Sequence, residues 1–327
     1  MFPVTVGLVL ATLLTIHVLP QLASVLLLVF AGIILAVMLD ALTSALGRVL
    51  PLGHGLAYAT ALASVALVLA GIGLLIGPQL QTQIPQLIDQ IPQAWHKMLA
   101  QLSDWGVLGE VSDKAAQSLQ SLAVNNQLMK LASGTFGALV NIFVVLFVGL
   151  YGAAAPQRYL HFGRRLMSEQ RQRQTAALAS DLGSALRYWM LGRALTLAIV
   201  GIASGLGLWL LGVPLAFTLG LIAGVLSFIP YLGPILGLIP ALLIAVVESP
   251  MLAGWVLLLY GGVHLAESAL LTPLIQQRAI AMPPAILITA QLVGGVLIGP
   301  LGVLLAAPLV VCGLVAAGWQ RTDETAQ

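Results

Sequence analysis

The sequence predicts an all-α polytopic membrane protein. It combines about six full transmembrane helices, two interrupted, re-entrant helical hairpins in an inverted repeat, and an extracytoplasmic amphipathic helical segment. Three observations carry this reading. The 327-residue chain is 60% hydrophobic and 7% charged, against about 25% charged in soluble domains, and its mean hydropathy is +1.04. Its apolar runs have the length of a bilayer crossing. Two of those runs are broken in the middle by proline and glycine.

Apolar runs of membrane length read as helices at 2–19, 22–39, 56–77, 135–153, 192–211 and 252–271. The stretch His17–Leu22 reads as a tight turn between the first two. The first basic residue is Arg48, so the apolar start lacks the basic region of a signal peptide and is expected to be a retained helix. Residues 79–133 are polar, Gln-rich and amphipathic, and Ile-Pro-Gln occurs at 84–86 and again at 91–93. They read as short surface helices resting on the bilayer, with a partner-binding domain as the alternative.

Charge orients these elements. Residues 154–193 hold seven arginines against Glu169 and Asp181, a net charge of +5. Residues 79–133 hold Lys97, Lys114 and Lys130 against Asp89, Asp104, Glu110 and Asp113, a net charge of −1. Cytoplasmic loops carry the Lys/Arg excess. Region 154–193 is therefore expected inside, a topology signal with which contact with anionic lipid headgroups is compatible, and 79–133 outside. Arg48, Arg278 and Arg321 fall inside on the same scheme. The implied location is the cell (inner) membrane, with the C-terminus cytoplasmic. The expected division is 1–78 (helices one to three), 79–133 (amphipathic region), 134–191 (helix and basic linker), 192–318 (transport core) and 319–327 (tail).

The two remaining runs are 216–247 and 285–318. The first contains Ile-Pro-Tyr-Leu-Gly-Pro and divides into Ala216–Ile229 and Ile235–Val247, 14 and 13 residues. At 1.5 Å per residue each arm reaches roughly 20 Å, short of the roughly 30 Å hydrocarbon core. A re-entrant hairpin with its tip at Pro230–Pro234 fits this. The second run breaks at Gly299-Pro300-Leu301-Gly302. Each run follows a helix and a proline-marked turn, and the charge scheme sends one in from outside and the other from inside. Inverted repeats with interrupted helices recur in secondary transporters, with the solute site near the midplane. One long kinked helix, or two short tilted spans, is the alternative for each run.

The same residues resemble a known family. "SFIPYLGPILGLIPALL" (227–243), "ESALLTPLI" (267–275) and "MPPAILITAQLVGGVLIGPLGVLLAAPL" (282–309) are similar to the signature blocks of the autoinducer-2 exporter family, the PerM-like permeases. The resemblance implies export of small signalling molecules or, in some members, cation/proton antiport, and a homo-oligomer with a pentamer as one candidate. This chain departs from the pattern at Ala269, where the family often has Asn, and at Leu191-Gly192-Arg193, where it often has Arg-Gly-Gln.

Candidate pathway residues follow from cost. Glu267 lies in an apolar helix, with His264 three residues before it on the same face. A carboxylate there is a proton or cation carrier by default, or else a structural anchor. His264 also reads as a packed core histidine. Tyr231 at the tip could bind solute or point to a loop carbonyl. Pro230, Gly233 and Pro234 at one tip, and Gly299 and Pro300 at the other, would leave backbone groups free for a polar solute. Bulk at Gly233 is then expected to damage transport more than folding. Gln291 either faces a cavity or packs. Asp40 is expected at the interface. No cofactor is expected. The single Cys312 forms no internal disulfide, and no nucleic-acid signal is present. The chain has neither a Gly-Lys phosphate loop nor His-Glu-x-x-His, and His264 with Ser268 is a poor protease pair, so an enzyme is not expected. The leading function is secondary transport, by export, of a small polar solute or signalling molecule coupled to H+ or Na+, ahead of cation (Na+)/proton antiport and of a non-transporting membrane scaffold.

Overall fold

A computed structural model describes residues 2–49, 53–104, 135–155, 168–271 and 282–318 of the chain. Among them there are nine α-helices and no strand. They are α1 (Phe2–Val49), α2 (His54–Asp104), α3 (Thr135–Ala154), α4 (Glu169–Leu210), α5 (Ala216–Leu226), α6 (Leu232–Glu248), α7 (Pro250–Ala266), α8 (Pro284–Ile298) and α9 (Pro300–Ala316), with a π-helical turn at Glu267–Leu271 after α7. Among the described residues four helical stretches are long and apolar enough to cross a membrane: Gln21–Val49, His54–Leu74, Gln172–Leu210 and Pro250–Leu270. The first contains the run expected at 22–39, and the others overlap those expected at 56–77, 192–211 and 252–271. The run expected at 135–153 is α3.

Two expectations about helix ends are corrected. No turn forms at 17–22, because α1 continues through Pro20 and on past Asp40 for 48 residues. An interior proline removes one hydrogen bond, a loss that apolar membrane helices tolerate. Nor does the chain break into short helices after 79. α2 continues for 51 residues through Pro78, Pro85 and Pro92. Pro78 and Pro85 are seven residues apart, so they fall on one face of the helix. The opposite face carries Gln83 and Leu87. The rest of the amphipathic region (105–133) lies outside the described residues, as do Arg158, Arg164, Arg165, Arg278, Arg321 and the tail at 319–327.

The chain forms two compact units. One comprises Met1–Ser64, Leu139–Met190 and Arg278–Gln327, and the other Val65–Ala138 and Leu191–Gln277. In the first unit Leu27, Ile34 and Leu305 form a core with Phe30, Ala31, Met190, Ile298 and Leu301 around it. Close approach of α1 and α3 depends on glycine, since a Cβ on Gly32 would stand 2.6 Å from that of Val148. Tyr58 Oη donates to the Leu150 carbonyl (2.9 Å) and Arg187 to that of Ala41 (3.3 Å). The α8–α9 hairpin belongs to this unit. Its break is Gly299, at φ 78° and ψ −151°, a conformation essentially restricted to glycine. Pro300 then starts α9 at the position where no N–H is needed. The arms meet where Gly294 and Gly302 face each other, and a Cβ on Gly294 would stand 2.7 Å from the Gly302 carbonyl oxygen.

In the second unit α4 ends at Gly212 (φ 74°), with Val213 N–H bonded to the Leu208 carbonyl and Gly212 N–H to that of Trp209. This is the Schellman pattern. α4 and α5 then cross on two pairs of glycines, Gly201/Gly205 and Gly220/Gly224. A Cβ on Gly220 would stand 2.6 Å from the Gly205 nitrogen, and one on Gly224 2.8 Å from the Leu197 carbonyl. Ser249 caps α7 by accepting from Leu252 N–H (3.1 Å), with Pro250 at the first position. α7 packs on α6. Leu208, Leu219, Ile244, Val256 and Tyr260 form the core, and Leu87 of α2 joins it. Thr218, buried in α5, donates its hydroxyl to Gln83 Oε1. The start of the polar extension of α2 is thus docked on the first hairpin.

Candidate functional site

The first interrupted run is two helices and not one kinked helix. The break spans Ser227–Tyr231, about one helical turn earlier than the Pro230–Pro234 tip read from sequence. Ser227 is buried and its hydroxyl donates to the Ala223 carbonyl at 2.7 Å. The N–H groups of Phe228 and Ile229 reach back three residues, to Val225 and Leu226, which tightens the end of α5. Leu232 N–H then donates to the Pro230 carbonyl (2.8 Å) around Tyr231, at φ 64° and ψ −45°. This is a γ-turn with a bulky residue at positive φ, a strained arrangement. Strain of this kind persists where the surroundings impose it and clusters at functional sites. Pro230 is buried and Tyr231 is exposed. Pro234 sits in the first turn of α6, where its missing N–H removes no helical bond.

Gly233 has a role different from the one read in sequence. A Cβ there would stand 2.7 Å from the Leu226 carbonyl carbon and 2.9 Å from Ser227 Cα. Gly233 therefore lets the two arms of the hairpin close on each other, as Gly237 does one turn on against Ala223 Cα (3.0 Å). Bulk at Gly233 strikes the fold first.

Three ionisable side chains meet at this break. Glu267 opens the π-helical turn at the end of α7, a feature frequent at functional sites. His264 Nδ1 lies 2.8 Å from Glu267 Oε2. Arg193, on α4, places Nη1 4.0 Å from Glu267 Oε1 and donates to the Ser227 carbonyl at 3.4 Å. The Arg193 and Glu267 side chains are 18% and 17% exposed, so both are largely removed from solvent and each needs the other's charge. Glu267, His264 and Tyr231 of the sequence-derived set are thus brought to one hairpin end, beside Pro230. Gln291, only 1% exposed, lies in α8 of the other compact unit, which also holds Gly299 and Pro300 at the break between α8 and α9.

Sequence reasoning missed Arg193 as a site residue, counting it in the basic cluster and noting it as a departure from the family pattern. The available signal was its position: Arg193 is followed by Ala194–Leu211, eighteen residues without a charge. It occupies the region where the family pattern expected polar ligands. Tyr260 was also missed. One helical turn below His264, its ring centroid is 6.3 Å from the imidazole. The Tyr260 hydroxyl, His264 Nε2 and the Ser204 hydroxyl are buried with no hydrogen-bond partner among the described residues. If the Tyr260 hydroxyl has no partner in the membrane, Tyr260→Phe removes an unsatisfied group. The variant should then match or exceed wild-type thermal stability, by about 1 kcal/mol at most. A fall of similar size, read by thermal unfolding in detergent, would show that the hydroxyl is satisfied. No group of three metal-ligating side chains occurs among the described residues.

A family model described as AI-2E family transporter matches residues 6–318. Curated relatives carry names that class them as transport proteins. YrrI of Bacillus subtilis (strain 168) is 35% identical over 42% of this chain and 39% of its own length. YueF of the same organism is 26% identical over 74% of this chain and 70% of its own. MT0215 of Mycobacterium tuberculosis (strain CDC 1551 / Oshkosh) is 29% identical over 79% and 73%. The match thus spans well under half of YrrI and about seven tenths of the other two.

Proposed function

Because the chain belongs to the AI-2E family of transporters, we propose that it is a secondary transporter that exports a small polar solute, coupled to protons at Glu267. The observation that carries this is the placement of Glu267. It is a carboxylate at the end of an apolar helix, between a histidine and an arginine, beside a helix broken at Ser227–Tyr231. Intramembrane carboxylates are costly and mark ion pathways. Broken helices at membrane depth are tolerated where they line a watery cavity or are buried in protein.

In this reading both interrupted runs are re-entrant. The arms of the first are 11 and 17 residues and those of the second 15 and 17. At 1.5 Å per residue the longest is about 26 Å, short of the roughly 30 Å core. The hairpins form an inverted repeat, 154–193 is cytoplasmic, and the protein works as a homo-oligomer in the inner membrane. Exposed apolar side chains such as Leu67, Leu74 and Val296 would meet lipid. Sodium/proton antiport fits less well, because the Arg193 charge beside Glu267 opposes a bound cation.

The test is solute movement in inside-out vesicles and in proteoliposomes of the purified chain, with and without an imposed proton gradient. Gradient-dependent solute flux is expected. Absence of any flux that the protein accelerates would leave the scaffold reading in its place.

A further inference from the structure

We propose that the transported solute is a small anion, a carboxylate or a phosphate, which binds the Arg193 guanidinium in place of Glu267 while Glu267 takes up one proton. The inference rests on the transport reading above and specifies the chemistry of the same site.

The distances set it up. A guanidinium carries five N–H donors in a planar fork that fits carboxylate or phosphate bidentately. Among the described residues Arg193 makes one hydrogen bond, at 3.4 Å to the Ser227 carbonyl. Its 4.0 Å approach to Glu267 Oε1 is an ion pair without hydrogen-bond geometry. Glu267 makes a short contact with His264, at 2.8 Å. The carboxylate thus balances the charge of Arg193 while leaving the fork underused. The start of α6 beside it offers little to an anion. The N–H groups of Leu232 and Gly233 are bonded to Pro230 and Ile229, and residue 234 is a proline. Arginine is therefore the recognising group.

Charge balance supplies the coupling. Among the described residues, the titratable and charged groups shown beside Glu267 are Arg193 on α4, Tyr231 at the hairpin end, and His264 and Tyr260 on α7. α5 contributes none, and α6 none before Glu248 at its far end. With His264 neutral, ionised Glu267 offsets the charge of Arg193. Protonating Glu267 leaves a largely desolvated guanidinium uncompensated, and an arriving anion restores the balance. An anion arriving while Glu267 is ionised would crowd two negative charges onto one arginine. Proton and anion therefore favour each other's binding and cross together, so export runs down the solute's own outward gradient, and the coupling is reciprocal. A neutral solute gains nothing from this exchange.

The experiment uses the full chain in lipid nanodiscs, with lactate and inorganic phosphate as probes. Binding is followed by calorimetry, and proton uptake by a dye in weak buffer. About one proton should be taken up per anion bound, and affinity should rise up to about tenfold per unit fall in pH. Glu267→Gln should bind the same probe at least as tightly as wild type at its best pH, with no pH dependence and no proton uptake. Arg193→Gln should lose binding, but it strips a partly buried carboxylate of its partner and so threatens the fold. The wild-type proton count and the Glu267→Gln affinity decide without it. Binding without proton uptake, or no binding of either probe between about pH 5.5 and 8, would overturn the proposal. Proton-coupled flux of an uncharged solute without anion binding would overturn it too, and would leave the transport reading standing. Proton-linked anion binding without flux would support it and remove the transport reading instead.

Discussion

Glu267→Gln should abolish gradient-driven accumulation while leaving the protein folded and inserted. Glutamine nearly preserves the volume of glutamate, and an amide is cheaper to bury than a carboxylate. It still hydrogen-bonds, so the contact with His264 at 2.8 Å survives in kind. What it cannot do is gain and lose a proton. One proton moving down a gradient of about one pH unit supplies about 1.4 kcal/mol, enough for roughly tenfold accumulation of solute. That tenfold should vanish in the variant, while downhill exchange of solute continues. Glu267→Asp keeps the carboxyl group but draws it back by one methylene, and should shift the pH profile without removing coupling. The anchor reading expects something else: Gln tolerated in both assays and Ala destabilising. Wild-type accumulation by Glu267→Gln across about pH 5.5 to 8 would sink the coupling role.

The largest stability effect is expected at the crossing of α4 and α5. A Cβ on Gly220 would stand 2.6 Å from the Gly205 nitrogen and 2.9 Å from the Gly201 carbonyl oxygen. Both neighbours are backbone, so no side chain can swing aside. Overpacking a close-packed site costs about 1–3 kcal/mol and occasionally more, and a whole leucine side chain between two backbones belongs at the upper end. Gly220→Leu should therefore yield little monodisperse protein after detergent extraction. Gly71→Leu is the control. It also lies in an apolar helix, but a Cβ there has nothing within 4 Å, and its yield should match wild type. Normal yield and stability of Gly220→Leu would mean that the two helices do not meet on these glycines.

These two residues show what the sequence makes legible and what it hides. Glu267 stands out because a carboxylate in an apolar run is expensive wherever it points. Gly201-x-x-x-Gly205 and Gly220-x-x-x-Gly224 were equally visible as close-packing signals, yet only tertiary structure pairs them. The helix break in 216–247 followed from its prolines, but its position did not. Pro234 is compatible with the first turn of a helix, so the break moved back to Ser227–Tyr231. Proline misled in the other direction at 20, 78, 85 and 92, where neighbouring residues sustain the helix. Arg193 was hidden by its company: six other arginines gave it a topological meaning, and only the α4–α7 approach exposes its ion pair.

The most direct test of the central claim is the membrane depth and water access of a spin label at position 231, in a variant whose single native Cys312 has been replaced by alanine. If the break beside Glu267 is a re-entrant tip, the label should lie within the hydrocarbon thickness and still be reached by a water-soluble relaxation agent. A label at headgroup level, or one at depth that only lipid-dissolved oxygen reaches, would contradict it.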